Sequence, residues 1–395
     1  MRSNEPPVAQ ELLNRLHQRF VAVSLLPKGC IYVGGAVRDL LLGRQPRDLD
    51  IVTKGARSVA AEFARRQRAH VFELGRGDLR SHRVIHDGNE IDFTELTTEG
   101  LSSDLGRRDF TINAIALDPA RREVVDLYGG LADLRSSTLR MIADQNLADD
   151  PLRILRGIRL ACELGLRIEQ ITKESISRNA SMIVNVAPER VRHELDLMLS
   201  SDRPGLAVTL LREMSLETVI FGQTLDAEVP GMLDKSPPAD LTTAYAVLFH
   251  NCDDGRVEQF TERWRWSRDG ASLLRNLVSL YRKVSRKGDS ELADLRVVMY
   301  HAGEQASVRL AEMARVLGDD HLATIVPDVL KGVARPVFEE RSLLAGSEIQ
   351  QLLSIEAGPL IGSVKNALIE AQIRGKVETR AEAMDFVRQW IPAER

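Results

Sequence analysis

The sequence predicts a small α+β head followed by a long all-α body. Three observations support this. Short β-type runs crowd the first third of the chain, apolar spacing turns helical from about Asn146 onward, and one motif, Val33–Asp50, joins a glycine turn to two carboxylates. Strands are expected at Cys30–Val33, Asp48–Thr53, His70–Leu74, Ser81–His86 and Glu90–Glu95, with turn signals at Gly75–Asp78 and Asp87–Asn89. Ala36–Leu42 and Ser58–Gln67 read as the helices between the early strands. Further on, helices are expected at Asp150–Leu164, Gln170–Asn179, Ala187–Leu199 and Pro204–Arg212. Punctuation by Pro and Gly follows near Val229–Pro238, Val326–Pro327 and Arg335–Pro336. These changes of pattern divide the chain into a head (1–145), a helical neck (146–203) and a helical body and tail (204–395).

Composition narrows the function class. The 395 residues are enough for several cores, and 44% hydrophobic with 28% charged residues is ordinary for a globular protein. No apolar run has the length of a membrane span, and the opening Met-Arg-Ser-Asn-Glu-Pro-Pro does not read as a signal peptide. Cys30, Cys162 and Cys252 lack the spacing of a zinc site or disulfide framework and suit a reducing, cytoplasmic setting. A net charge of −4 argues against a surface coated with non-specific nucleic-acid affinity, while leaving room for a local basic groove.

The chemistry is concentrated in a few stretches. Gly34 and Gly35 stand at a strand-to-helix turn, where bare backbone lets N–H groups approach a phosphate. Arg38, in the first helical turn, can add a charge-assisted contact. Asp48 and Asp50, at i and i+2 of one strand, project from the same face with Cα atoms roughly 6.5–7 Å apart. That geometry suits Mg²⁺ ions about 3.5–4 Å apart, clamping a hydroxyl and a triphosphate. In Asp150-Pro151-Leu152-Arg153, Pro151 marks a helix start. Arg153, Arg156 and Arg159 then recur every third residue, an arginine ladder opposite an apolar face.

The order strand, Gly34-Gly35, Arg38-Asp39, Gly43, Asp48-x-Asp50 resembles the nucleotidyltransferase superfamily. More narrowly, it resembles the class II tRNA nucleotidyltransferases (CCA-adding enzymes) and the related bacterial poly(A) polymerases. Arg107-Arg108-Asp109-Phe110-Thr111-Ile112-Asn113-Ala114 matches that family's second motif, and Asp149-Asp150-x-x-Arg153 its third, with Asp149 where Glu is usual. Glu189-Arg190-x-x-x-Glu194-Leu195 and Gly358-Pro359-Leu360-Ile361-Gly362 extend the likeness into the neck and tail. Glu189 and Glu194 are expected to brace the ladder.

The resemblance implies a polymerase β-like palm as the head, followed by all-α neck, body and tail. It implies template-independent addition of C, A or both to the 3′ end of tRNA from CTP and ATP, with Mg²⁺ and no obligate protein partner. Asp48 and Asp50 would hold the metal. Asp92 is the candidate third carboxylate, with Glu90 its rival on the same face. Gly35, Arg38 and Arg108 would grip the triphosphate; Asp150 and Arg153 would read the base, and Arg156 and Arg159 would face phosphates. The bottom-up reading of Asp109 is a cap for a helix starting near Phe110.

Two departures bear on activity. Relatives that switch from C to A carry a long loop rich in Arg and Tyr, whereas only Leu96–Gly106 fills that gap here. CC addition alone is one outcome, and a lever supplied by another segment is the other. His250-Asn251 breaks the His-Asp dyad of some relatives and reads as packed helix without phosphohydrolase activity. Trp264 and Trp266 read either as stacking platforms for RNA or as buried anchors. The competing functions are a poly(A) polymerase and a catalytically idle RNA-binding protein on the same fold.

Overall fold

Leu49 and Ile51 are buried in the main core, while Asp48 and Asp50 leave the opposite face, so residues 48–53 form a strand by simple alternation. A computed structural model describes residues 9–75, 80–285, 292–331, 338 and 341–390. Its contacts separate into two compact units, Met1–Val186 with Met214–Leu216, and Ala187–Glu213 with Glu217–Arg395. The arginine ladder therefore belongs to the same unit as the head.

In the first unit, strands β1 (Ile31–Val33), β2 (Asp48–Thr53), β3 (Val71–Leu74), β4 (Ser81–His86), β5 (Asn89–Glu95), β6 (Ile115–Asp118) and β7 (Glu123–Asp126) form one sheet. Their order is β3-β4-β5-β2-β1-β6-β7. Only β2 and β5 run parallel within it, and their register sets Asp48 beside Glu90 and Asp50 beside Asp92. Helices α1 (Ala9–Arg19), α2 (Gly35–Leu41) and α3 (Ala56–Gln67) cover the apolar face through Leu12, Leu16, Leu40, Ala60 and Phe63. A smaller cluster of Val33, Val52, Leu105, Ala114 and Ala116 lies on the other face. The expected turn at Gly75–Asp78 falls largely outside the described residues, as does Arg335–Pro336.

The helix expected from Phe110 is not there. A single 3-10 turn, Thr111–Asn113, is followed directly by β6, which pairs with β1. The cause is burial on both sides. Ile115 and Leu117 enter the main core and Ala114 and Ala116 the smaller one, so the strand shows no alternation.

Beyond the sheet, α4 (Leu101–Gly106), α5 (Gly130–Arg135), α6 (Asp144–Asp149), α7 (Leu152–Leu164) and α8 (Gln170–Asn179) complete the unit. A two-stranded parallel pair joins Thr138–Leu139 to Arg167–Ile168. Phe110 is fully buried against α7 at Gly157, where an added Cβ would stand 2.4 Å from the ring's Cζ. This glycine lets the helix approach close enough to set its arginines over the motif that contains Phe110.

The second unit is helical among the described residues, with an aromatic core of Tyr245, Phe249, Phe260 and Trp264. Trp264 donates through Nε1 to Ile220 O at 3.0 Å, and Trp266 meets the Tyr245 ring edge-on at 4.9 Å between centroids. Both tryptophans are anchors of this core. Pro327 lies inside the helix Asp320–Lys331 instead of interrupting it. Glu189 accepts a hydrogen bond from Arg265 at 3.0 Å. Helices Gly346–Leu353, Pro359–Ile373 and Arg380–Gln389 enclose a separate core around Ile349, Val364, Leu368 and Val387.

Replacing Gly157 with Ala should destabilise the protein by about 1–2 kcal/mol, because overpacking against Phe110 outweighs the gain in helix propensity. Urea denaturation followed by circular dichroism measures this. The double variant with Phe110→Leu should recover part of the loss, since the shorter side chain vacates the clash.

Candidate active site

The turn between β1 and α2 is where the first two motifs meet. Gly34 has φ +80°, and its amide donates to Ile115 O at 3.3 Å, tying the turn to β6. A Cβ on Gly34 would lie 2.7 Å from Arg108 Nη1 and 2.9 Å from Asp50 Oδ2. The carboxylate and the guanidinium therefore converge on one bare stretch of backbone. Gly35, the glycine expected to matter most, has ordinary space around it, its nearest neighbour being Arg38 at 3.5 Å.

Asp48 is exposed and Asp50 half-buried. Burial raises the Asp50 carboxyl above its ordinary value; the Arg108 and Arg156 charges pull it down, and Asp92 and Asp48 push it up again. Asp92 sits across from Asp50 but is held in a bidentate pair by Arg83, with both hydrogen bonds at 2.8 Å. The same guanidinium also pairs with Glu90. Both candidates for a third carboxylate thus share one counter-ion.

Arg38, expected at a phosphate, is instead buried. Its Nε and Nη2 donate to Asp39 Oδ1 at 2.9 and 2.8 Å, and Nη1 donates to Asn113 Oδ1 at 2.6 Å. Asn113 passes the contact on through Nδ2 to Asp109 Oδ1 at 2.9 Å, which also accepts the Phe110 amide at 2.8 Å. The other oxygen of Asp109 lies 3.2 Å from Arg156 Nε. Burial raises the Asp109 carboxyl, but Arg156, Asn113 and the Phe110 amide more than offset this and hold it below the usual carboxylate range. A continuous polar chain therefore links α2, the 3-10 turn and α7.

The cations divide by how completely they are engaged. Arg107 and Arg108 both donate to the buried carboxylate of Asp104, at 2.9 and 3.2 Å. Arg153 donates through Nη1 to Arg107 O at 2.8 Å and Asn146 O at 2.9 Å. Arg159 donates to Glu163 at 2.8 Å. Asp150 closes the end of α6 in an extended conformation. Among the described residues, buried Nε atoms of Arg108 and Arg156 lack a hydrogen-bond acceptor, the contact of Arg156 with Asp109 being close but poorly aligned. Sequence reasoning missed Asp104, Arg83 and Asn146.

Among the described residues no three or more His, Cys, Asp or Glu side chains are grouped to enclose a metal. Asp48 and Asp50 nevertheless fit Mg²⁺, which is commonly held by one or two carboxylates together with substrate phosphates. Asp48 and Asp92 place further negative charge near Asp50, although Arg108 and Arg156 act on it more strongly.

Comparisons with known proteins place the chain in a family. Residues 30–103 and 78–140 match the poly A polymerase head domain, and 165–227 match the probable RNA and SrmB-binding site of polymerase A. The chain is 40% identical to a CC-adding tRNA nucleotidyltransferase of Synechocystis sp., covering 93% of this chain and 95% of that one. It is 31% identical to a CC-adding tRNA nucleotidyltransferase of Thermus thermophilus, covering 92% and 94%. Its fold matches that of the Bacillus stearothermophilus CCA-adding enzyme in complex with CTP, with a TM-score of 0.70, 22% identity, and coverage of 95% and 97%.

The raised Asp50 carboxyl has a consequence for stability. The folded state binds that proton more tightly than the unfolded chain does, so stability falls as pH rises through the gap between the two, and the deficit is complete above it. Asp50→Asn should therefore raise the unfolding midpoint at pH 7. Thermal melts across pH should show the two proteins converging as pH drops below about 3.8, where both states of the wild type are protonated.

Proposed function

This chain belongs to the tRNA nucleotidyltransferase family, and we propose that it extends the 3′ end of tRNA without a template, using CTP and ATP. The convergence of Asp50 and Arg108 on Gly34 carries this reading, because it joins a metal-type carboxylate to a phosphate-type cation across bare backbone. A binding protein would gain nothing from burying an aspartate at a cost in stability. The poly(A) polymerase alternative yields to the CC-adding names of the Synechocystis and Thermus relatives.

The proposed roles follow from the contacts. Asp48 and Asp50 hold the divalent cation, Mg²⁺. Bound there, it would lower the pKa of the tRNA 3′-hydroxyl and neutralise charge on the triphosphate. Arg108 and Arg156 turn incompletely engaged guanidinium groups toward the phosphates. Arg38 positions Asn113 and Asp109 and leaves the phosphates to those two arginines. Arg83 keeps Asp92 oriented beside Asp50.

Asp150 and Arg153 select the base. A carboxylate accepts from the exocyclic amino group that C and A share, and arginine donates to a ring nitrogen or carbonyl. U and G lack that amino group in the matching place and would leave a buried charge unpaired, a cost of a few kcal/mol, roughly. The helical residues 204–395 are proposed to hold the tRNA by shape and backbone contacts. The three cysteines are buried and form no disulfide, which suits a cytoplasmic location.

Within this activity we favour addition of CC. The two relatives named above are CC-adding, and only Leu96–Gly106 separates β5 from the Arg-Arg-Asp motif. Incubating the protein with tRNA that ends before CCA, each labelled nucleotide and Mg²⁺ should give two added C residues and no A. Addition of CCA would show that another segment supplies the switch, and long A tails or no product at all would overturn the reading. Asp48→Ala should abolish transfer, by at least about 10³-fold, with tRNA affinity retained in a filter-binding assay. Loss of both together would contradict the metal role.

A further inference from the structure

Three successive backbone carbonyls of the Arg-Arg-Asp motif are held by side chains from the segment that leads into α7. Asn146 Nδ2 donates to Gly106 O at 2.8 Å and to Arg108 O at 2.7 Å. Between them, Arg153 Nη1 donates to Arg107 O at 2.8 Å and reaches Asn146 O at 2.9 Å. Asn146 is buried in α6, three residues before the third motif begins at Asp149 and outside the family motifs read from the sequence. One carboxamide hydrogen is available for each outer carbonyl, so both donors of the amide are in use.

We infer that Asn146 is a positioning residue for nucleotide selection. Its carboxamide fixes the backbone from which Arg107 and Arg108 project, and by fixing that backbone it places Arg107 O, an acceptor of the Arg153 guanidinium. A side chain that fixes the carbonyls on either side of Arg107 O couples the grip on the triphosphate to the choice of base through that shared stretch of backbone. Without the Asn146 side chain, Gly106 O and Arg108 O lose their buried donors and the Arg107–Arg108 backbone is free to shift, carrying with it Arg107 O, one of the two main-chain carbonyls that hold Arg153. This inference rests on the proposed role of Arg153 as base selector.

A double-mutant cycle tests it. Wild type, Asn146→Ala, Arg153→Ala and the double variant are compared for the ratio of CTP to UTP incorporation and for CTP affinity, with thermal melts as a folding control. Each single variant should lower the CTP/UTP ratio by at least about tenfold, and the double variant should lower it no further than Arg153→Ala alone. Additive losses, or a wild-type ratio in Asn146→Ala while Arg153→Ala loses it, would overturn the inference. An unchanged ratio in Arg153→Ala would remove Arg153 from base selection and take this inference with it, a result distinct from failure at Asn146. If the alanine variant does not fold, Asn146→Ser serves instead. Its single hydroxyl hydrogen serves only one carbonyl, so the ratio should fall there too, and a retained ratio would count against the inference.

Discussion

The carboxylate of Asp109 is the contact on which the rest of the site depends. It is buried, it receives the Asn113 amide and the Phe110 N–H, and it faces Arg156. Through Asn113 it reaches Arg38 on the helix that follows the glycine turn. An isolated charge in such a place would be costly, and it is tolerated because its oxygens are supplied with donors and a counter-ion. The arrangement leaves the three parts of the site little freedom to shift independently, since each part satisfies a polar group of the next. Phe110 and Gly157 provide the apolar counterpart, a close contact that sets the distance between the same two segments.

Around that frame the charges are sorted by task. Arg38 uses its donors on the side chains of Asp39 and Asn113 and acts as a structural tie, while Arg153 is oriented by two main-chain carbonyls through Nη1. Arg83 neutralises the carboxylates of β5, so Asp92 shapes the field at Asp50 without standing unpaired. Arg108 and Arg156 are anchored on one side only, by Asp104 and Asp109, and both act electrostatically on Asp50. Had all five guanidinium groups been fully paired, the site would have been a rigid core with nothing left to bind a polyanion.

Several features were legible in the sequence because they depend on local pattern. Alternation revealed the strand Asp48–Thr53 and the shared face of its two carboxylates. The helix Gln170–Asn179 and the strand Ser81–His86 likewise follow from spacing alone. Strand β6 was hidden because it is buried on both faces, and a run such as Ile115-Ala116-Leu117 carries no period. The destination of Arg38 was equally hidden. An arginine after a glycine turn suits a phosphate as well as an amide oxygen, and the partner that decides the matter, Asn113, is 75 residues away. Asn146 gave no signal for the same reason, since its acceptors lie in a different segment and are carbonyls, which every residue possesses.

The same sorting supports the proposal that the site takes a nucleotide arriving with a divalent cation. Asp48, Asp50 and Asp92 crowd negative charge on one side, and Arg108 and Arg156 present positive charge on the other. A free polyanion would satisfy the arginines but meet the aspartates with like charge. A free cation would satisfy the aspartates but compete with the arginines already near Asp50. On the proposed reading, a triphosphate carrying its cation would answer both halves at once, the guanidinium groups being suited to phosphate and Asp48 and Asp50 to the metal. Gly34 lies between the halves, where a side chain would occupy the space in which they meet. Backbone geometry and charge placement therefore impose one demand on the ligand, and separating them by substitution at Gly34 would disturb both.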